Sequence, residues 1–147
     1  MDDEELSQCI RGEFLQKTLD SLRSHIAILN EDGAIIAVNA PWNRFATSNG
    51  LAEQFCGRGA NYLDSCDQAT GDCSEEAANV ASGIRDVIAK RQEYFYLEYP
   101  CHSPSEQRWF SVRTTRFEIA GSPYIVVAHD AITERKLADF KLQDANR

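Results

Sequence analysis

The sequence predicts an α+β fold in which helices cover one face of an antiparallel sheet. Between residues 92 and 130, three runs rich in aromatic and β-branched residues (93–100, 109–117 and 124–129) alternate with short turn-forming gaps. Such residues suit strands, and gaps this short favour consecutive antiparallel pairing, because a parallel crossover needs a dozen or more residues. Alternation gives this three-stranded meander one apolar face, which the rest of the chain must cover. That face comprises Phe95, Leu97, Tyr99, Phe110, Val112, Ile125 and Val127.

Composition and charge narrow the class of protein. The 147 residues suffice for one domain with a core, and a hydrophobic content of 43% is ordinary for a soluble globular chain. The net charge of −8 disfavours direct binding to nucleic acid or to an anionic membrane. The longest apolar runs are strand-sized and the acidic start lacks a signal-peptide pattern, so we expect a cytoplasmic protein.

Residues 1–24 are predicted to form an N-terminal amphipathic helix that acts as a linker or a dimerisation element. Leu15, Leu19 and Leu22 recur at spacings of four and three, which is typical of one helix face. That face has two interpretations: packing against the chain's own sheet, or a dimer contact at the end of a coiled coil. Three apolar positions are too few to decide between them.

Two short strands and a helix follow this segment. The strands are predicted at residues 25–30 and 34–38, joined through Asp32-Gly33, a dipeptide typical of hairpins. Asn39 is expected to cap the next helix, because its side chain can accept a hydrogen bond from a free backbone N–H group, and Pro41 suits the first turn. This helix should end near residue 50.

The second half of the helical layer is predicted from periodicity. Residues 51–72 are irregular apart from a helical turn at 61–64, and a clear helix runs from Ser74 to about residue 91. Its buried face, at helical spacing, consists of Val80, Ile84, Val87 and Ile88. After the last strand, residues 131–147 form a charged C-terminal helix whose thin apolar seam is too small to bury alone, so we expect it to pair with a partner or continue into a longer helix.

Several local sequences in this order resemble those of PAS domains. The Asn-Glu-Asp-Gly run at 30–33 resembles the first hairpin of the family, residues 59–66 a middle segment, and residues 98–104 and 108–110 the third and fourth strands of one bacterial subgroup. The resemblance extends from about residue 22 to residue 136. It implies a five-stranded antiparallel sheet with helices on one face, a PAS core at residues 25–130, and a small cavity between the helices and the sheet.

The resemblance also implies a function. PAS domains are usually non-catalytic sensory or dimerisation modules, fused through helices to histidine kinases of two-component systems, to diguanylate cyclases or to similar effectors. We therefore expect a homodimer, an effector domain in the same chain or a partner signalling protein, a small-molecule ligand in the cavity, and no catalytic residue. Two alternatives remain open: a ligand-free protein–protein dimerisation module, and a redox sensor based on thiols or a metal.

The candidate cavity residues follow from the predicted inner faces and the resemblance. They are Tyr62, Leu63, Cys66, Ile84, Val87, Phe110, Val112, Ile125 and Val127. For any single one of them, a place in a filled core is the favoured interpretation. The cofactor is unknown, and no cofactor is the favoured state. Haem is disfavoured because His25, His102 and His129 lie on or beside strands, and flavin photochemistry because Tyr62 stands where the light-sensing members carry a cysteine.

The five cysteines point to no metal site. Their spacing matches neither a zinc nor an iron–sulfur pattern, and their odd number argues against a disulfide framework, so we expect reduced thiols. Cys66 and Cys101 are interpreted as small core residues.

The end of the last strand departs from the pattern of the family. Members commonly carry Asp-Ile-Thr there, whereas this chain has Ala131-Ile132-Thr133, with Asp130 one position earlier. A shift of one residue turns the carboxylate to the other face of the strand. Asp130, Ile132 and Thr133 are the candidates for signal transfer, and we expect Thr133 to cap the exit helix in place of the missing Asp.

Overall fold

The computed structural model describes residues 2–48, 57–69, 74–102 and 105–145. Within these ranges the helices and strands follow the predicted order. They are α1 (Asp3–Ser21), β1 (His25–Asn30), β2 (Ile35–Val38), α2 (Ala40–Ser48), α3 (Tyr62–Asp67), α4 (Ser74–Ile88), β3 (Tyr94–Pro100), β4 (Trp109–Ile119), β5 (Ser122–Ala131) and α5 (Thr133–Ala145).

The five strands form one antiparallel sheet in the order β2-β1-β5-β4-β3. The predicted meander is confirmed, since β3, β4 and β5 are consecutive neighbours. β1 pairs with β5 from His25 opposite His129 to Asn30 opposite Tyr124. The start and the end of the core therefore lie side by side at the centre of the sheet.

Local chemistry explains the first hairpin. The Asn30 side-chain oxygen accepts hydrogen bonds from two loop N–H groups, each 3.0 Å long. Gly33 has φ +89°, in the left-handed region that favours glycine, and a Cβ there would lie 2.7 Å from Leu63 Cδ1. β2 begins one residue later than predicted because Ala34 pairs with Asn61 in an isolated bridge instead.

The helices cover one face of the sheet and enclose the core. α4 packs across β3, β4 and β5, α2 packs on β1, and α3 packs on α4. Val80, Ile84 and Val87 of α4 are buried as predicted. The helix ends at Ile88, three residues before the predicted end, and Lys90 has φ +62°, which a continuing helix does not allow. The predicted turn at 61–64 is the start of α3, and the predicted end of α2 near residue 50 lies outside the described residues.

The terminal helices pack little against this core. None of the described residues of α1 or α5 is buried, and Leu15 is 62% exposed. Packing of the leucine face against the sheet, one of the two interpretations of α1, is therefore not what the structure shows. α1 also ends at Ser21 rather than at residue 24, because Leu22 adopts an extended backbone.

The entry into α5 differs from the expectation. The helix begins at Thr133, so Ile132 occupies the N-cap position, and the Thr133 hydroxyl accepts a hydrogen bond of 3.1 Å from the backbone N–H of Trp109. The hypothesis that Thr133 caps α5 is wrong, because this hydroxyl binds β4 instead. In the described part of the chain, none of the helices combines the length and hydropathy needed to cross a bilayer.

Candidate functional site

A cavity of about 140 Å³ lies between the helices and the inner face of the sheet. An apolar cavity of about 150 Å³ admits a molecule of the size of benzene. Most of the lining is aromatic or aliphatic. The lining residues are Phe45 of α2, Tyr62 and Cys66 of α3, Glu76, Ala77 and Val80 of α4, Tyr99 of β3 with the following Cys101, Phe110 of β4 and His129 of β5.

His129 stands between two tyrosine hydroxyls in this cavity. The Tyr62 oxygen is 3.4 Å from Nε2, and the Tyr99 oxygen is 3.4 Å from Nδ1. A neutral imidazole has one donor and one acceptor nitrogen, so one tyrosine donates a hydrogen bond and the other accepts one. Both contacts are long for hydrogen bonds of a hydroxyl group. A polar group on a ligand can replace either contact with a shorter one.

Three titratable groups that line the cavity are uncharged at neutral pH. Burial lowers the pKa of His129 to about 4, the charge of His25 acts in the same direction, and Asp130 opposes both. Burial raises the pKa of the Cys66 thiol to about 11, and it also raises the pKa of Tyr99. The three groups therefore act as neutral donors and acceptors.

Aromatic side chains of α2 hold the histidine in place. The Trp42 ring meets the His129 ring edge-on at a centroid distance of 6.1 Å, and the Phe45 ring lies 6.2 Å away. Phe45 also stacks on His25 at 4.5 Å. Trp42 and Phe45 of α2 thus form the wall that positions His129.

Asp130 connects the cavity strand to the N-terminal linker. It follows His129 in β5, and its side chain faces the opposite side of the strand. Its Oδ1 accepts a hydrogen bond of 2.7 Å from Ser24 Oγ, and its Oδ2 lies 3.9 Å from Arg113 Nη2. This hydrogen bond joins β5, beside the cavity, to the linker that follows α1.

Asn39 binds the same linker from the helical side. Its Oδ1 accepts hydrogen bonds from the N–H groups of Ile26 (2.9 Å) and Trp42 (3.0 Å), which confirms the predicted cap of α2. Its Nδ2 donates to the carbonyls of Leu19 and Ser24, each at 2.9 Å. This buried amide uses both donors and both acceptor sites, so it fixes the end of α1, the linker, β1 and α2 relative to one another.

The C-terminal helix is tied to the edge of the sheet. Trp109, at the start of β4, accepts a hydrogen bond of 2.9 Å from the Ile132 N–H group, and its ring contacts the Phe140 ring of α5 at 5.5 Å. On β3, the Glu98 carboxylate binds Arg135 and Lys136 of α5, the latter at 2.6 Å. Hydrogen bonds from Lys136 and Tyr96 lower the pKa of Glu98 to about 2, so the carboxylate is charged when the helix docks.

The structure brings together part of the predicted cavity set. Tyr62, Cys66 and Phe110 line the cavity. The other six residues pack in the core away from its lining: Leu63, Ile84, Val87, Val112, Ile125 and Val127. Sequence reasoning placed no histidine in the cavity, yet His129 lies two and four residues after two inward-facing core residues of β5. The two-residue period of the strand was the signal that could have found it.

The cysteines differ from the expectation of reduced thiols. Cys9 and Cys66 are free, whereas Cys101 is disulfide-bonded. Cys101 is thus a bonded residue at the cavity rather than a simple core thiol. Across residues 2–48, 57–69, 74–102 and 105–145, no three His, Cys, Asp or Glu side chains converge on a point that could hold a metal ion.

Comparison of the sequence with known proteins finds one relative of similar sequence in the part that this chain covers. The sequence matches no protein-family model. A Rhodobacter capsulatus protein, described as an uncharacterized 104.1 kDa protein in the hypE 3' region, is 38% identical over 134 residues, a match that covers 88% of this chain. The chain spans 14% of the length of that relative.

Solved structures of PAS domains superpose on most of the chain. The PAS domain of BvgS from Bordetella pertussis has a TM-score of 0.60 at 15% identity and covers 92% of this chain and 96% of its own. A PAS domain of an HTR-like protein from Haloarcula marismortui has a TM-score of 0.54 at 18% identity and covers 88% of this chain and 98% of its own. The sensor region of a sensor histidine kinase has a TM-score of 0.56 at 18% identity and covers 76% of this chain and 40% of its own. The chain has the α+β fold of a PAS domain, as the resemblance implied.

Proposed function

We propose that this chain is a cytoplasmic, non-catalytic sensory module that binds a small molecule in the cavity and passes the change through its flanking helices to an effector. One observation carries the proposal: the cavity histidine is followed directly by Asp130, which binds Ser24 of the N-terminal linker at 2.7 Å. The similar structures include a PAS domain of BvgS and the sensor region of a sensor histidine kinase, which supports a role in signalling.

The two flanking helices are the proposed output. At one end, Asn39 and Asp130 bind the linker that follows α1. At the other, Ile132 and Thr133 bind Trp109 of β4. These contacts lie at the same end of the inner strands β1, β5 and β4, so a small movement of β5 changes the direction in which both helices leave the core. A histidine kinase, a diguanylate cyclase or a separate signalling partner is the proposed effector.

We also propose that the module is a homodimer. The α1 helix exposes Leu6, Ile10, Phe14 and Leu15, and α5 exposes Leu137, Phe140 and Leu142. The predicted interface residues Leu15 and Leu22 are 62% and 45% exposed, and Leu19 is half-buried. Helices that expose this much apolar surface gain stability from burying it against a second copy. The same surface supports the second candidate function, a dimerisation module that needs no ligand.

A third candidate function is a thiol-based redox sensor. The disulfide-bonded Cys101 borders the cavity, and the free thiol of Cys66 lines it too. Non-reducing peptide mapping of protein prepared with and without a reductant tests this candidate. A bond that forms and breaks over the range of cellular redox potentials supports it, and a Cys101 thiol that stays free under air contradicts it.

Filling the cavity tests the ligand-binding proposal. Ala77 lines the cavity, whereas the adjacent Ala78 is exposed on the same helix, so Ala77→Leu fills the space and Ala78→Leu is the matched control. We expect benzyl alcohol to bind the wild-type protein with a Kd of about 1 mM, which is reasonable for eight non-hydrogen atoms in an apolar pocket. NMR chemical-shift titration measures this affinity.

Ala77→Leu should abolish the binding of benzyl alcohol, and Ala78→Leu should retain it. A native mass spectrum of the freshly purified protein, compared with its denatured mass, tests for a ligand that copurifies. Absence of binding to the wild-type protein, or equal binding to both variants, would contradict a ligand site in this cavity.

A further inference from the structure

We infer that the cavity takes a compact ring or alkyl group that carries a protonated amine, with the ammonium group beside the Glu76 carboxylate. This inference rests on the proposed ligand-binding function and adds the charge of the ligand to it. It follows from the distribution of charge along the cavity wall and from the aromatic rings beside it.

Glu76 is the charged member of the described cavity lining. The other lining residues are aromatic, aliphatic or neutral at pH 7. Glu76 is half-buried in the first turn of α4, and its charge contributes, after burial and alongside Cys66, to the raised pKa of Tyr99. Glu76 and Tyr99 line the same cavity, so the carboxylate acts on a ligand that lies against the Tyr99 ring.

This carboxylate is not neutralised within the described part of the chain. None of the seven ion pairs between described residues includes Glu76. An acidic group that borders an apolar cavity without a basic partner attracts a cation and repels an anion.

The cavity walls suit the same ligand. Rings of Phe45, Tyr62, Tyr99 and Phe110 line the space, and aromatic faces attract a cation through the ring quadrupole. At the other end, burial keeps His129 neutral, and the same burial disfavours a positive charge on the ligand there. A ligand with its apolar body towards His129 and its ammonium group towards Glu76 matches the polarity of the cavity at both ends.

A purely structural role for Glu76 is the competing explanation. Carboxylates in the first turn of a helix are stabilised by the helix dipole, and Glu75 lies in the same turn. Glu75, however, is exposed and does not line the cavity. The two residues therefore provide a matched pair of variants. Glu76→Gln and Glu75→Gln each remove one charge from the first turn of α4, but only Glu76→Gln changes the cavity lining.

Three probes of similar size and different charge test the inference: benzylamine, benzyl alcohol and benzoate, titrated into the wild-type protein at pH 7.0 and followed by NMR. We expect benzylamine to bind about three- to fivefold more tightly than benzyl alcohol, because a partly exposed ion pair contributes up to about 1 kcal/mol. The positive end of the α4 dipole offsets part of the attraction, which keeps the preference small. Benzoate should bind most weakly.

The Glu76→Gln variant should bind benzylamine and benzyl alcohol equally, while Glu75→Gln should keep the wild-type preference. If benzyl alcohol binds but benzylamine shows no advantage, or if the two variants behave alike, the inference about charge is wrong and the ligand-binding proposal stands. If none of the three probes binds the wild-type protein, both proposals fail.

Discussion

His129 and Asp130 are consecutive residues of β5 whose side chains lie on opposite faces of the strand, one in the cavity and one bound to Ser24 at 2.7 Å. The shift of the carboxylate by one position from the usual family pattern produces this arrangement. In a strand, such a shift moves a side chain to the other face. Asp130 therefore binds the N-terminal linker, while Ile132 and Thr133 hold the start of α5 against β4.

Replacement of Asn39 by Ala should destabilise the domain strongly. The change removes four hydrogen bonds and the cap of α2, and the N–H groups of Ile26 and Trp42 lose the side-chain oxygen that they bind. We expect a loss of about 2–4 kcal/mol in the free energy of unfolding, measured by urea denaturation. Asn43→Ala, at an exposed position of the same helix, is the control and should cost less than about 1 kcal/mol. Equal losses would contradict the role assigned to Asn39.

Stability should fall as the pH is lowered from 6.5 towards 4. In that interval the unfolded His129 binds a proton that the folded residue does not, because burial lowers its folded pKa from 6.5 to about 4. Stability from such a group is present above the unfolded pKa and decreases by up to about 1.4 kcal/mol per pH unit below it. Burial lowers the pKa of His25 as well, which acts in the same direction.

Urea denaturation at pH 7.0 and pH 5.0 measures this dependence. His129→Gln should reduce the difference between the two pH values, while His102→Gln, at an exposed position, should leave it unchanged. The pKa of Glu98 is lowered from its ordinary value of 4.5 to about 2 in the folded protein. Its stabilising effect is therefore lost below pH 4.5, outside the interval between pH 7.0 and pH 5.0 that is compared. A difference that persists in full in His129→Gln would contradict the burial of a neutral His129.

Ala131→Asp should stabilise the domain modestly. Ala131 is exposed and precedes the N-cap position of α5, and Thr133 does not cap that helix. A carboxylate near the positive end of a helix contributes about 0.3–1 kcal/mol. The melting temperature should rise in the Asp variant and rise less in Ala131→Asn, which has the same shape without the charge. An unchanged or lower melting temperature of the Asp variant would rule out this account of the missing family carboxylate.

Leu15→Glu should dissociate the proposed dimer. The residue is 62% exposed in the single chain, so the change should leave the fold intact while it places a charge in the proposed interface. Lys17→Glu, at an exposed position of the same helix, is the control and changes the net charge by one unit more. Sedimentation velocity should find a smaller species for Leu15→Glu than for the control. If both variants sediment like the wild-type protein, α1 is not the interface through Leu15.

The sheet and α4 could be predicted because each depends on a short-range pattern. The alternation in β3 to β5 and the helical spacing of Val80, Ile84 and Val87 determine which side chains turn inward. The cap by Asn39 was predictable for the same reason, since its acceptor faces an N–H group three residues later. The two other bonds of Asn39, to Leu19 and Ser24, join elements distant in sequence and left no local signal.

The cavity was harder to predict because its position depends on how side chains from six elements fill space together. Six of the nine candidate residues have the right orientation but pack tightly in the core, and the gap lies between α2, α3, α4 and the His129 end of the sheet. Thr133 illustrates the same limit. Its hydroxyl had a plausible local partner at the helix start, yet it binds the Trp109 N–H group, which the β4–β5 pairing brings alongside.

Hydrogen exchange with and without saturating benzyl alcohol tests the coupling between cavity and helices most directly. In the wild-type protein we expect slower exchange at the cavity and altered exchange in residues 19–24 and 133–137. Asp130→Ala should keep the change at the cavity and lose the change in residues 19–24, because the bond to Ser24 is gone. Protection confined to the cavity in the wild-type protein, with both flanking segments unchanged, would contradict the account.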